Sequence, residues 1–351
     1  MPVDLTRLRH HQAMMAPGTP LRDGLERVLR GRTGALVVLG HSRAVDDITT
    51  GGFALDLPFT PQSLRELAKM DGALIIDGDA SRIRRAAAHL VPDADIDTPE
   101  TGTRHRTADR VSKQTGLPTI TVSASMSLIT LFLDGERHVV EDSEQILSRA
   151  NQALQTLERY RSRLSQLISK LSALEVEDQV TLRDLALVAQ RLEMVRRLEH
   201  ELSGYAVELG TDGRLLTLQL HELNAGIDEL GALIEQDYAL GVDSGGFQSL
   251  TAFTTTELLD VACVARALGF GPQEHLEGKI APRGLRQLAS INRLPHSLAP
   301  RLLEHFGSLQ ALFGASAADL QLVDGVGEGR AKIIREGLTR LAESAMTESL
   351  D

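Results

Sequence analysis

The feature that most limits what this chain can fold into is a change of hydrophobic period near residue 146. Before it, apolar residues come in short runs bounded by glycine or hydroxyl residues: Gly34-Ala-Leu-Val-Val-Leu-Gly40, Ala73-Leu-Ile-Ile-Asp-Gly78, Thr119-Ile-Thr-Val-Ser123 and Leu128-Ile-Thr-Leu-Phe-Leu133. Short continuous runs of this kind read as buried strands. Between them, Pro20–Arg30 and 61–70 carry helical spacing and open near a proline, which suits a first helical turn. Residues 81–90 and 103–116 supply further helices. An α/β domain with a central mixed sheet is therefore expected over 1–145. A hairpin turning at Asp134-Gly135, with His138-Val139-Val140 on its return strand, closes it.

From Ile146 onward the period is helical. Leu147, Ala150, Leu154 and Leu157, then Leu164, Leu167, Leu171 and Leu174, keep three-four spacing with one slip near Tyr160. A second series runs through Leu182, Leu185, Val188, Leu192, Val195 and Leu198. This predicts an all-α spacer over 146–285, with an oligomer seam as the alternative use of the stripes. Within it, the glycine-, serine- and threonine-rich stretch 241–256 reads as a loop before another helix from Glu257. The remainder, 286–351, is expected as short helices over 308–313, 317–322 and 328–337.

A net charge of -11 excludes a protein that coats nucleic acid by charge alone, and that acidity lies mostly in the helical middle. Only 3% of residues are aromatic and none is tryptophan, too few for base-stacking platforms. No apolar stretch approaches the ~20 residues that span a bilayer, and Arg7, Arg9, His10 and His11 break any signal-peptide core, so a cytoplasmic protein is expected. The single cysteine, Cys263, lies among Val261, Ala262 and Val264 and reads as a small buried hydrophobe.

Two strings point to chemistry. Asp71-Gly72-Ala73 puts a carboxylate on a tight turn leading into a strand, and Gly102-Thr103-Arg104-His105-Arg106-Thr107-Ala108 opens a helix. Unpaired N–H groups, a glycine for close approach and two arginines suit a polyphosphate at that helix start. Each string also has a plain reading, Asp-Gly as an ordinary turn and the arginines as solvated charges. Asp77-Gly78-Asp79 reads as a turn rather than a metal site, Gly51-Gly52 as a bend rather than a nucleotide loop, and His10, His11 and His138 lack metal-ligand spacing. Near the C-terminus, Leu320-Gln-Leu-Val-Asp-Gly325-Val-Gly327-Glu-Gly-Arg330-Ala331-Lys332 has the pattern of a helix-hairpin-helix. The amides around Gly325 and Gly327 can receive a DNA phosphate without reading a base, Arg330 and Lys332 add charge, and Val326, Ala331 and Ile334 pack the two helices. Glu328 opposes phosphate, and an ordinary helical hairpin is the alternative. Residues 288–313, with a turn at 294–297, resemble a degenerate first half of the same unit.

Taken together and in this order, the strings resemble the DNA integrity scanning protein family, bacterial diadenylate cyclases with a C-terminal helix-hairpin-helix. The likeness extends through Ser148-Arg-Ala-Asn-Gln-Ala-Leu-Gln-Thr-Leu-Glu158 in the spacer. It implies condensation of two ATP into cyclic di-AMP with release of two pyrophosphates. It implies that Asp71 holds Mg2+ or Mn2+ and helps activate a ribose 3'-hydroxyl, while Gly72 and Ala73 shape the pocket. Thr103, Arg104, His105, Arg106 and Thr107 would hold the triphosphate, with Ser123 as a further phosphate contact and Leu90 as a backbone contact to adenine. The family's arginines after that serine are replaced here by Ala124, Ser125 and Met126. A symmetric product needs two facing half-sites, so a homo-oligomer is expected, an octamer by family likeness, with branched DNA as a partner and no membrane. The competing expectation is a non-enzymatic DNA-binding adaptor that keeps a vestigial nucleotide-sensing pocket.

Overall fold

The computed structural model describes residues 5–240, 245–271, 275–295 and 297–348. In chain order the N-terminal elements are α1 (Leu5–Met14), α2 (Pro20–Arg30), β1 (Ala35–Leu39), α3 (Arg43–Asp47), β2 (Thr49–Thr50), β3 (Phe53–Pro58), α4 (Pro61–Leu67), β4 (Ala73–Ile76), β5 (Arg82–Leu90), α5 (Thr103–Thr115), β6 (Thr119–Ser123), β7 (Leu128–Leu133) and β8 (Glu136–Val140). Long helices follow: α6 (Ser143–Val176), α7 (Leu182–Leu209), α8 (Arg214–Asn224) and α9 (Ile227–Asp237). The short helices α10 (Thr255–Leu259), α11 (Val261–Ala267), α12 (Leu285–Ala289), α13 (Leu298–Phe306), α14 (Leu309–Gly314) and α15 (Ala317–Leu320) precede α16 (Glu328–Glu348). They pack as two compact units, one of residues 1–152 and 201–220, the other of 153–200 and 221–351.

The first unit is built on a mixed sheet of order β2-β5-β4-β1-β6-β7-β8, with β3 also paired to β5. Its central strand β1 is buried at every residue because helices cover both faces. Val37 and Leu39 join Leu21, Leu25 and Val28 of α2 and Leu64 of α4 on one side. Leu36 and Val38 meet Val45 of α3 and Ala108 and Val111 of α5 on the other. The hairpin at Asp134-Gly135 forms as expected, pairing Leu133 with Glu136 and Ile129 with Val140.

One expected helix is a strand. Residues 81–90 hold Ile83, Ala86, Ala87 and Leu90 at helical spacing, yet Arg82–Leu90 is β5. The spacing arises because β5 is bulged: its register against β4 shifts between Ala73↔Ala88 and Ile75↔Arg85, so the buried residues do not alternate strictly. Alanine-rich helix propensity is overridden by ladders on both sides, to β4 and to β2 and β3.

In the second unit α6 and α7 run longer than their apolar stripes required, and the guanidinium of Arg191 stacks on Tyr160, 4.9 Å from the ring centroid, at the slip in the pattern. The expected loop over 241–256 instead contains a 3-10 helix, Gly246–Ala252, held by buried Phe247 and Leu250; residues 241–244 lie outside the described residues. A capping box at Thr254 and Glu257 starts α10 two residues early. Cys263 is half-exposed rather than buried: its thiol donates to Asp260 Oδ2 at 3.2 Å and accepts from Arg266 Nη2 at 2.9 Å. The C-terminal helices share one core, in which Leu288, Ile291, Leu298 and Leu302 meet Val326, Ala331 and Ile334. Of the turn at 294–297, His296 lies outside the described residues.

A buried polar cluster ties this unit together. Glu175, fully buried on α6, receives Arg286 Nη2 at 2.6 Å, Gln287 Nε2 at 2.7 Å and the Tyr238 hydroxyl at 2.7 Å. Burial and the Glu175 carboxylate push the Tyr238 hydroxyl far up, so it stays a donor. Beside it, buried Asp237 accepts the N–H groups of Gly284 at 2.7 Å, Leu285 at 2.6 Å and Arg286 at 3.0 Å, capping α12 from the end of α9. Removing one partner of a buried ion pair strands the other charge, so Glu175→Ala is expected to destabilise the unit by roughly 3–5 kcal/mol, read as an earlier urea transition. A transition within 1 kcal/mol (about the scale of a surface substitution) contradicts this account of the cluster.

Candidate functional site

The sheet topology decides which residues can meet. β1 and β4 are parallel, with Val37 opposite Leu74, so Gly34 and Asp71, just before the two strands, lie at the same end of the sheet. β6 runs antiparallel to β1, with Ala35 opposite Val122, which brings Ser123 to that end. β5 runs antiparallel to β4, with Ala73 opposite Ala88, which brings Leu90 there too. The start of α5 joins them through Arg104, whose guanidinium lies over Gly34: a Cβ at Gly34 would run into Nη1 and sit 2.7 Å from Cζ. Two strings thirty residues apart in sequence are thus neighbours at one edge, for reasons of strand direction alone.

At that edge Asp71 is exposed, with Oδ1 accepting the N–H of Gly72 at 3.1 Å. Gly72 has φ +114, and a Cβ there would lie 2.7 Å from the carbonyl carbon of Ala87 and 2.9 Å from the carbonyl oxygen of Ala88. Ala87, itself left-handed at φ +51, is the bulged residue of β5, and Gly52 meets it from the other side, its Cβ falling 3.0 Å from the Ala87 carbonyl carbon. Gly51-Gly52 is a bend, as expected, and Gly52 also makes room for the bulge. Ala73 and Leu90 are buried, so what Leu90 offers at the edge is backbone.

On α5, Arg106 N–H makes the first intrahelical bond, to Gly102 at 2.8 Å, leaving the amides of Thr103, Arg104 and His105 directed out of the helix start. The side chains of Arg104 and Arg106 are exposed and form no hydrogen bond or ion pair among the described residues. His105 turns inward: its ring packs edge-on to Phe132 at 6.0 Å, Nε2 is buried without a partner, and burial holds its pKa below the ordinary histidine value. With its ring turned to the core, His105 leaves only its backbone N–H directed out of the helix start. The Thr107 hydroxyl donates to the Thr103 carbonyl at 3.0 Å, and the Ser123 hydroxyl lies 3.3 Å from that of Ser125. Among the described residues no group of three metal-ligating side chains occurs, so a cation here would rest on Asp71 with oxygens from substrate and water, a coordination that suits Mg2+. A cleft of about 610 Å3 elsewhere in this unit contains none of these residues, and its charged lining, Arg22 with Asp23, Glu26 and Asp212, is acidic on balance.

The chain matches two family models, one described as DisA bacterial checkpoint controller nucleotide-binding over residues 22–137, the other as DisA bacterial checkpoint controller linker region over 140–277. A protein called DNA integrity scanning protein DisA from Streptomyces griseus is 56% identical over 349 residues, covering 97% of this chain and 93% of that protein. The chain belongs to the DNA integrity scanning protein DisA family. Proteins of that name from Frankia alni, 56% identical over 342 residues and covering 96% of this chain and 95% of that protein, and from Kineococcus radiotolerans, 54% identical over 347 residues and covering 97% of each, agree. The nucleotide-binding match spans every candidate residue of the sheet edge.

The candidate DNA-binding string joins α15 to α16. Gly325 is left-handed at φ +88, and its carbonyl accepts Arg330 Nη1 at 2.6 Å, so Arg330 braces the turn. Nothing lies within 4 Å of a Cβ built at Gly327, and Lys332 is exposed, with Glu336 at 4.0 Å. Among the described residues no helix is long and apolar enough to cross a membrane.

Sequence reasoning passed over Gly34, used only to bound a strand; its signal was a glycine placed directly before a strand that had no need of a turn there. The two glycines of the edge separate stability from binding. Gly72→Ala meets backbone on β5 and is expected to destabilise the unit by roughly 2 kcal/mol or more, read by thermal unfolding. Gly34→Ala meets chiefly the far end of the flexible Arg104 side chain, with the Val122 carbonyl oxygen 3.2 Å away, and is expected to cost less than Gly72→Ala while weakening binding of a non-hydrolysable ATP analogue, read by calorimetry. Unchanged analogue affinity in Gly34→Ala contradicts the role given to Arg104.

Proposed function

We propose that this chain is a diadenylate cyclase that condenses two ATP into cyclic di-AMP and two pyrophosphates, and that its C-terminal helices bind branched or damaged DNA without reading sequence. The observation that carries the reading is the convergence of Asp71, Ser123, Leu90 and the start of α5 at one sheet edge, within the segment matched by the nucleotide-binding model of the family. The amides of Thr103 to His105 with Arg104 and Arg106 hold the triphosphate, and backbone at Leu90 meets adenine. Phosphoryl transfer depends on positioning and charge stabilisation, which these groups supply without a covalent nucleophile. Asp71 would hold Mg2+ or Mn2+, which when bound would lower the pKa of the attacking 3'-hydroxyl and offset phosphate charge.

Exposed Met70, Val91 and Met126 stand next in sequence to Asp71 and Leu90 and near Ser123, an apolar rim that suits cover by a second copy. In this reading the protein is a cytoplasmic homo-oligomer, an octamer, divided into a cyclase part at 1–145, a spacer at 146–285 and a helix-hairpin-helix part at 286–351. Purified full-length protein with ATP and Mg2+ or Mn2+ is expected to yield cyclic di-AMP on chromatography, and Asp71→Asn to lose roughly a hundredfold or more of the rate. No product with either metal, or full activity in Asp71→Asn, overturns the cyclase and leaves the DNA-binding adaptor.

For DNA, Gly327→Asp places a carboxylate where phosphate approaches, in open space and without a left-handed residue. It is expected to weaken binding to all sequences alike by tenfold or more (about 1.4 kcal/mol), with cyclic di-AMP synthesis in the absence of DNA unchanged. Lys332→Ala should lower the salt dependence of binding by about one phosphate contact. Unaltered DNA affinity in Gly327→Asp removes the hairpin from the interface.

A further inference from the structure

The turn between α2 and β1 contains an anomaly. α2 ends with the N–H of Gly31 on the Arg27 carbonyl at 3.0 Å, that of Arg32 on Leu29 at 3.0 Å and that of Thr33 on Val28 at 3.3 Å. In such an ending the left-handed position is ordinarily a glycine. Here Gly31 is right-handed at φ -72, and the next residue, Arg32, takes the left-handed conformation at φ 53. The chain keeps a large cation where its own adjacent glycine would sit without strain.

Arg32 also differs from the other arginines of this segment. Arg22 and Arg30 pair with Glu26, and Arg27 pairs with Asp23. Arg32 is exposed and has no side-chain partner among the described residues. It stands two residues before Gly34, the residue under the Arg104 guanidinium, at the sheet end that holds Asp71 and Ser123. Three arginines without acidic partners, Arg32, Arg104 and Arg106, thus belong to segments that meet at one end of the sheet. Their source elements differ, a helix end for Arg32 and a helix start for the other two, so helical amphipathicity does not account for the grouping.

We infer that Arg32 is a further substrate-binding residue, contacting the polyphosphate of ATP from the α2–β1 turn. The inference rests on the reading of this edge as the ATP site. A cation approaching from a different element than α5 can meet phosphate oxygens on a side that the α5 amides do not face, and a guanidinium can do so bidentately.

The test compares full-length parent, Arg32→Gly and Arg32→Lys. Glycine fits the left-handed turn, so Arg32→Gly is expected to melt at or above the parent temperature, while its KM for ATP and its dissociation constant for a non-hydrolysable ATP analogue rise about tenfold. Binding of AMP, which lacks the polyphosphate, is expected to stay within twofold, and Arg32→Lys to fall between parent and glycine variant. A folded Arg32→Gly with ATP KM and analogue affinity within twofold of the parent overturns the inference, as does an equal loss of AMP binding, which marks a structural role. A parent that neither binds the analogue nor makes cyclic di-AMP overturns the reading of the edge itself, and Arg32 with it.

Discussion

The pairing of β1 with β4 on one side and β6 on the other is the constraint on which the nucleotide-binding unit depends. A parallel neighbour and an antiparallel neighbour around one fully buried strand bring two strand beginnings and one strand end to the same edge. Asp71, Ser123 and Gly34 owe their proximity to strand direction, not to any attraction between them. The helix start at Thr103 arrives at that edge because α5 precedes β6 and returns along it. The candidate site is a by-product of register, and a one-residue slip of β4 would carry Asp71 to a different depth.

The second constraint is local. β5 bulges at Ala87, and two glycines, Gly72 and Gly52, leave room for that backbone from either side. The glycine after the candidate metal-binding aspartate is therefore explained by packing: it lets β4 begin hard against a bulged neighbour, which fixes where the Asp71 carboxylate stands. Bulges near functional sites re-aim side chains in this way. In the other unit, the cluster of Glu175, Arg286, Gln287, Tyr238 and Asp237 has the corresponding role, locking helix ends to one another through charge and capping.

Much of the fold was legible in the residues. Glycine-bounded apolar runs marked β1, β4, β6 and β7, prolines marked the starts of α2 and α4, and the three-four leucine series marked α6 and α7. The strand β5 was not legible, because its bulge spaces Ile83, Ala86, Ala87 and Leu90 as a helix would. Nor was the inward turn of His105, which depends on Phe132 of β7 lying beneath it, nor the half-exposure of Cys263, which depends on the polar pair Asp260 and Arg266 at its flanks.

The sequence by itself determined the chemistry available: one carboxylate on a turn, a glycine-started helix with two arginines, and a hairpin with two glycines. It did so because those properties are local, set by residue type within a few positions along the chain. Only the tertiary structure decided which of these groups stand together, that Gly34 lies under the Arg104 guanidinium, that Arg330 braces its own turn, and that the turn carrying Arg32 lies at the same end of the sheet as Asp71. Those relations depend on strand direction and on a bulge between distant segments, and no local pattern encodes either.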